Sequence, residues 1–219
     1  MSRYLSLLAV VLALGLMFAS ARPASAHQPF FEDTPFGADT PFVVKDPSVS
    51  TAVYATLDSP TDRDYYVFDG VAGDRVLLEM TIPQIAGQED FAPSLALIGP
   101  GLPPAELPSD VAQPDGWGAL ILPPPNGTPQ PFFEPFSRTS YWQRQRERIV
   151  LPATGRYTVV AWDASGEVGR YVFVIGDREI PGGDLTFPLK MRRYWTPMPA
   201  PQPPASETQG SARDTWWRN

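Results

Sequence analysis

The only histidine in the chain is His27. It follows Ala24-Ser25-Ala26, a small-x-small triplet of the kind that signal peptidases cut. Cleavage there makes His27 the mature N-terminus, where one residue offers an amine and an imidazole to a single metal ion. Such nitrogen donors suit Cu²⁺, and Glu32 or Asp33 could complete the set. A second chemistry lies in "DSPTDRDYY", where Asp58, Asp62 and Asp64 form the densest acidic cluster. Hard cations such as Ca²⁺ take oxygen ligands of this type. A third is recognition. "SYWQRQRER" places Arg144, Arg146 and Arg148 at period two beside Tyr141 and Trp142, and "FFEPF" brings Phe132 and Phe133. Guanidinium forks match carboxylates and sulfates, and aromatics next to a charged rim have the composition of a binding patch.

Each feature also has a plainer reading. A terminal histidine needs no ligand, and its metal site lacks a second histidine. Aspartates cap turns before strands. A charged strand edge keeps sheets from aggregating. Catalysis has less to stand on. Cysteine is absent, and no G-x-S-x-G, zinc spacing or phosphate loop occurs. A carboxylate pair could act as in glycosidases, but nothing in the sequence selects one. A non-enzymatic protein is expected, with no cofactor unless Ca²⁺ or Cu²⁺ is bound.

Location follows from the N-terminal segment. Arg3 precedes an apolar run of 14 residues, Leu5–Phe18. That run is shorter than the roughly 20 residues a spanning helix needs. A cleaved secretory signal over 1–26 is expected, with Ala19-Ser20-Ala21 as a second possible cleavage triplet. The mature chain is then secreted or periplasmic, without a transmembrane helix. It carries 15 basic and 24 acidic residues, a net charge of −9. The body, His27–Leu189, holds 10 basic and 22 acidic residues, −12. That charge disfavours nucleic acid and anionic membrane surfaces. It leaves a protein or carbohydrate partner open, and a monomer is expected.

The elements that position these residues read as strands. Pro totals 27 and Gly 17, and helix signals are weak. Short β-branched or aromatic runs recur between turns: Thr51–Leu57, Asp64–Asp69, Arg75–Ile82, Ser94–Gly99, Gly118–Leu122, Glu147–Leu151, Arg156–Trp162 and Arg170–Ile175. Such spacing predicts an all-β antiparallel sandwich or jelly roll of about eight strands. Alternation puts Val76, Leu78, Met80 and Ile82 on one face, and likewise Tyr157, Val159 and Ala161, and Tyr171, Phe173 and Ile175. The twice-repeated "DTPF" suggests an arm over 27–50, pinned to the domain by Phe30, Phe31, Phe36 and Phe42. Between Gly99 and Arg138 a proline-rich insertion predicts a surface excursion interrupted by one strand. The sandwich domain is expected over 51–189. A flexible proline-rich tail is expected over 190–219, with Trp216 and Trp217 near its end.

"DSPTDRDYYVFDGVAGDRVLLEMTIP" (Asp58–Pro83), "FAPSLALIGPG" and "RIVLPATGRYTVVAWDASGEVGRYVFVIG" (Arg148–Gly176) resemble the bacterial pre-peptidase C-terminal domain. The paired aromatics after an acid, the A-G-D turn and the L-P-x-x-G-x-Y hairpin carry the likeness. A weaker likeness is to GOLD-type β-sandwich domains. The resemblance implies a small jelly-roll sandwich, found mostly as a non-catalytic appendage of secreted enzymes. No catalytic domain is attached here, so a free-standing binding module is expected.

Overall fold

The computed structural model describes residues 27–135 and 137–196. The expected signal segment and Trp216 and Trp217 lie outside the described residues. Eleven strands occur in chain order: β1 (Gln28–Phe31), β2 (Phe42–Val43), β3 (Thr51–Leu57), β4 (Asp64–Gly70), β5 (Arg75–Pro83), β6 (Ser94–Pro100), β7 (Trp117–Leu122), β8 (Gln130–Glu134), β9 (Thr139–Val150), β10 (Gly155–Trp162) and β11 (Gly169–Ile175). Among the described residues one helix, α1 (Phe187–Tyr194), follows. The strands form a six-stranded sheet, β1-β3-β11-β5-β9-β8, and a five-stranded sheet, β2-β4-β10-β6-β7. All-β sandwich architecture is thus as expected, and the eight predicted runs fall on β3 to β7 and β9 to β11.

Three strands were not predicted: β1, β2 and β8. Each is short and rich in Phe or Pro, and each lies at the edge of its sheet. An edge position tolerates the missing proline N–H, so a proline-rich string can still be a strand there. β1 and β2 also pair in parallel, to β3 and β4, so the sheets are mixed rather than wholly antiparallel. The arm therefore weaves between both sheets before the domain begins. Its phenylalanines hold it as expected: Phe30 and Phe36 each meet Phe42 at 5.4 and 5.3 Å between ring centroids, and Phe36 meets Tyr66 at 5.8 Å.

Between the sheets lies the main core. The three alternating sets predicted from β5, β10 and β11 all meet in it, with Leu78, Met80, Tyr157, Val159 and Phe173 fully buried. The L-P-x-x-G-x-Y motif has a physical reason here. The Tyr157 hydroxyl donates to the Ala153 carbonyl at 2.7 Å, and its ring lies over Gly99, where a Cβ would fall 2.2 Å from a ring carbon.

The outer faces are covered too. Over the five-stranded sheet, Val111, Leu107 and Ala105 of the proline-rich insertion pack on Ile98, Val160 and Trp162. This half of the excursion is structural cover, and the insertion holds two strands, β7 and β8, rather than one. Over the six-stranded sheet, α1 lays Phe187, Met191 and Tyr194 onto Ala52, Tyr54, Val172 and Val174. These three helical residues fall on one face at spacings of four and three. Coverage on both sides explains why β3 and β11 are nearly continuous apolar runs rather than alternating ones. α1 also runs past Leu189, so the body extends beyond the expected boundary with the tail; residues 197–219 lie outside the described residues. Among the described residues no helix is long and apolar enough to cross a membrane.

Candidate functional site

α1 leaves part of the outer face of the six-stranded sheet open. A groove of about 410 Å³ crosses the strands there, from β3 through β11, β5 and β9 to β8. Its floor is small or aliphatic: Ala52, Val172, Val174 and Thr81. Tyr54, Tyr141 and Phe132 form walls, and His27, Glu79, Glu134, Gln143, Arg146 and Glu179 supply polar groups. Strand alternation explains the set. Tyr54 is two residues from Ala52, Val174 two from Val172, and Phe132 lies directly opposite Tyr141 in the β8–β9 pairing.

The polar centre of the groove is ordered by β9. Arg146 forms an ion pair with Glu79, and Gln143 donates to the same carboxylate at 3.1 Å. That geometry depends on a bulge. β5 pairs Glu79 with Arg146 and Thr81 with Gln143, so Met80 alone faces both Arg144 and Gln145. One extra residue reverses the alternation. Arg146 and Gln143 thereby point to the same side, although they are three positions apart.

The bulge also corrects the expected basic stripe. Arg144 does not line up with Arg146 and Arg148. It is 8 % exposed and donates to the Glu89 and Phe91 carbonyls at 3.0 and 2.7 Å, bracing the β5–β6 connection. Gln145 does the same for Pro93 and Leu122 at 2.8 and 3.1 Å. Arg148 pairs with Asp177 at the surface. The aromatic candidates divide as well. Phe132 and Phe133 are exposed, at 39 % and 57 %. Tyr141 is buried beneath Trp195, and burial pushes its phenol up to about 12. Trp142 faces the other way and packs against the core between the sheets. Of the predicted recognition residues, Phe132, Tyr141 and Arg146 therefore share the groove. Glu79, Gln143 and Val174 were not foreseen; they sit on strands remote in sequence and meet only in the folded sheet.

The candidate metal ligands separate into two places. His27 lies on the groove rim with its Nδ1 2.5 Å from the Ser50 hydroxyl. Asp58, Asp62 and Asp64 precede or open β4. Asp62 accepts the backbone amides of Asp58 and Arg63 at 2.9 and 2.8 Å, as a turn-forming aspartate does. Asp64 is wholly buried; it accepts the Tyr171 hydroxyl at 2.5 Å, and Tyr171 in turn lies 2.6 Å from the Tyr66 hydroxyl. Glu32 reaches in from the arm. It accepts the Thr56 amide at 2.9 Å and stands within hydrogen-bond reach of Asp64. Burial, and then the neighbouring carboxyl, push Asp64 up to about 9; burial above all pushes Glu32 up to about 7. At neutral pH this buried pair therefore keeps at least one proton. Among the described residues no three His, Asp or Glu side chains are placed to hold a metal ion together.

No family model matches this sequence, and no curated protein matches it. Solved structures do. PliG of Aeromonas hydrophila, a periplasmic inhibitor of g-type lysozyme, is 13% identical, with 69% of this chain and 98% of that chain covered and a TM-score of 0.36. The copper-binding secreted protein MopE of Methylococcus capsulatus is 14% identical over 54% of this chain and 71% of that chain, at a TM-score of 0.25. The pre-peptidase C-terminal domain of a Bacillus anthracis collagenase is 11% identical, over 65% of this chain and 98% of that chain, at a TM-score of 0.34. The last is a domain of the family that the Asp58–Pro83 and Arg148–Gly176 motifs resemble.

Proposed function

We propose that this chain is an exported, non-catalytic binding module that takes its partner in the groove across the six-stranded sheet. The observation that carries this reading is the open groove beside α1, rimmed by exposed Phe132 and centred on the fixed Glu79–Arg146–Gln143 set. Concave sites in which oriented polar groups border apolar surface are where ligands settle. Export rests on the Arg3–Ala26 segment. The absence of cysteine and of any histidine but His27 supports a non-enzymatic role. Phe133 belongs to the same exposed strand but points to the opposite side from Phe132.

Affinity capture from the secretions of the producing cell tests this, with Phe132→Ala as the comparison. A genuine partner is expected to lose about tenfold or more in affinity, as truncation of an aromatic anchor does. The thermal midpoint should stay within about 2 °C, because Phe132 is a half-exposed edge residue. A partner held equally by both proteins would place recognition elsewhere. Calorimetric titration with Cu²⁺ and Ca²⁺ separates this reading from metal handling at His27 or at Asp58, Asp62 and Asp64.

A further inference from the structure

α1 has a second face that the fold does not use. Phe187, Met191 and Tyr194 turn inward onto the sheet. At about 100° per residue, Leu189 then points almost straight outward, and Arg192 and Arg193, three and four positions on, flank it in the next turn. Leu185 stands four positions before it, just ahead of the helix. The exposures agree. Leu185 is 95 % and Leu189 75 % exposed, and Pro188, Arg192 and Arg193 are exposed as well. Single exposed leucines are ordinary on a protein surface. Two of them in line, backed by two arginines, form a ridge.

The ridge carries unbalanced positive charge. α1 holds Lys190, Arg192 and Arg193 and no acid. Asp33 and Asp184, the carboxylates beside it, are both taken by Lys190, at 2.6 and 2.8 Å. Neither Arg192 nor Arg193 has an ion-pair partner among the described residues. Charges more than about 8 Å away are screened at physiological salt. A surface that approaches this ridge therefore meets its arginines rather than the −12 charge of the body.

Shape separates two kinds of anionic partner. A leucine that is 95 % exposed has almost no neighbours, so the ridge is a protrusion. A folded protein must offer a matching hollow for it, whereas a bilayer surface yields around it. Helices with leucines toward the lipid and basic groups at headgroup level lie at such interfaces, and anionic headgroups attract the basic groups. The chain beyond α1 adds Arg213, Trp216, Trp217 and Arg218, and tryptophan favours the same interface.

We propose that the outer face of α1 is a docking surface for a bilayer of anionic phospholipid. Leu185 and Leu189 enter the headgroup layer, and Arg192 and Arg193 lie against lipid phosphates. The protein is then held on the membrane reversibly, not across it. The −12 charge of the body repels the same surface and keeps the other faces away from it.

Co-sedimentation of the processed protein with lipid vesicles tests this. One set of vesicles is pure phosphatidylcholine, and the other is phosphatidylcholine and phosphatidylglycerol in equal parts. Partition into the mixed vesicles is expected to be about tenfold or more stronger, and to fall as salt rises. Leu185→Ala combined with Leu189→Ala should weaken it about tenfold. Arg192→Gln combined with Arg193→Gln should do so by about the same factor. All four positions are exposed, so the thermal midpoint should not move in either variant. Arg156→Gln, at an exposed arginine on β10 of the other sheet, should leave partition unchanged. Absence of partition into the mixed vesicles overturns the proposal. So does equal partition into the two kinds of vesicle, or partition indifferent to both double substitutions. Retention on immobilised poly-glutamate through Arg192 and Arg193, without vesicle binding, overturns it in favour of an acidic protein segment.

Discussion

Glycine 99 shows how one residue without a side chain can fix a large one. It faces the ring of Tyr157, and an added Cβ would sit 2.2 Å from one ring carbon and 2.5 Å from the next. The ring has nowhere to go. Its hydroxyl is tied to the Ala153 carbonyl, and its other face stacks on Phe68 at 5.6 Å between centroids. Gly99→Ala is therefore expected to cost about 1–3 kcal/mol through overpacking, which denaturant unfolding measures. Gly73, with no atom within 4 Å of its Cβ position, has no such clash, but its φ of +90° would still strain an alanine. An unchanged midpoint for Gly99→Ala would mean that Tyr157 is free to shift and does not anchor the β10 hairpin. The same scale explains the division among the recognition residues. Trp142 and Arg144 carry binding chemistry by type, and both are consumed by the fold. Side-chain type was readable in the sequence; the direction of each side chain depends on a bulge that only pairing with β5 reveals.

At the scale of elements, the helix decides what the outer face can do. α1 packs over Ala52, Tyr54, Val172 and Val174, and the groove runs from its flank across β5 and β9 to β8. Its docking rests on a three-residue stripe, and Met191 is the central member. Met191→Ala is expected to lower stability by about 2 kcal/mol, or roughly 4–8 °C in midpoint. Leu189→Ala, at a position 75 % exposed on the same helix, should change almost nothing. Equal effects from the two would show that α1 does not dock through this face. Eight strands were legible because each is a bounded apolar or alternating run. The helix was hidden by Pro188, by the glycines at 182 and 183 and by the basic, polar composition around it, although Phe187, Met191 and Tyr194 have helical spacing. β1, β2 and β8 were hidden by their prolines and brevity. The groove itself has no local signature at all, since its floor comes from strands up to 122 residues apart in sequence, Ala52 to Val174.

For the whole molecule, pH separates the surface from the interior. Asp46 and Asp184 are held below the usual carboxylate range, Asp46 by hydrogen bonds from Ser48 and Asp184, at about 2, by Lys190 and Thr186. Their contribution is present above about pH 4 and is lost as the pH falls through their folded values. Asp46 is exposed and Asp184 half-buried at the surface, so that acid limb is shallow. Glu32 and Asp64 act in the opposite sense. In the unfolded chain they ionise near pH 4, whereas in the folded protein they ionise at about 7 and about 9. The native state thus holds protons that the unfolded chain has released. Stability from this pair is complete below about pH 4 and is lost as the pH rises through 7 and 9. The exposed carboxylates are already ionised by pH 6, so repulsion within the −12 body no longer changes between pH 6 and 9. Amine and imidazole groups as a class also titrate in this window, so substitution of the buried pair, and not the window alone, assigns the decline to it. A fall in thermal midpoint of at least about 5 °C from pH 6 to pH 9 is expected. It should persist in about 0.5 M salt, which screens exposed charges far more than buried ones. In Asp64→Asn most of the fall should disappear, whereas Glu32→Gln should remove only the smaller part, because burial keeps Asp64 high without its neighbour. A flat profile over this window, or a fall that salt abolishes, would mean that the two carboxyls do not keep a proton in the folded protein.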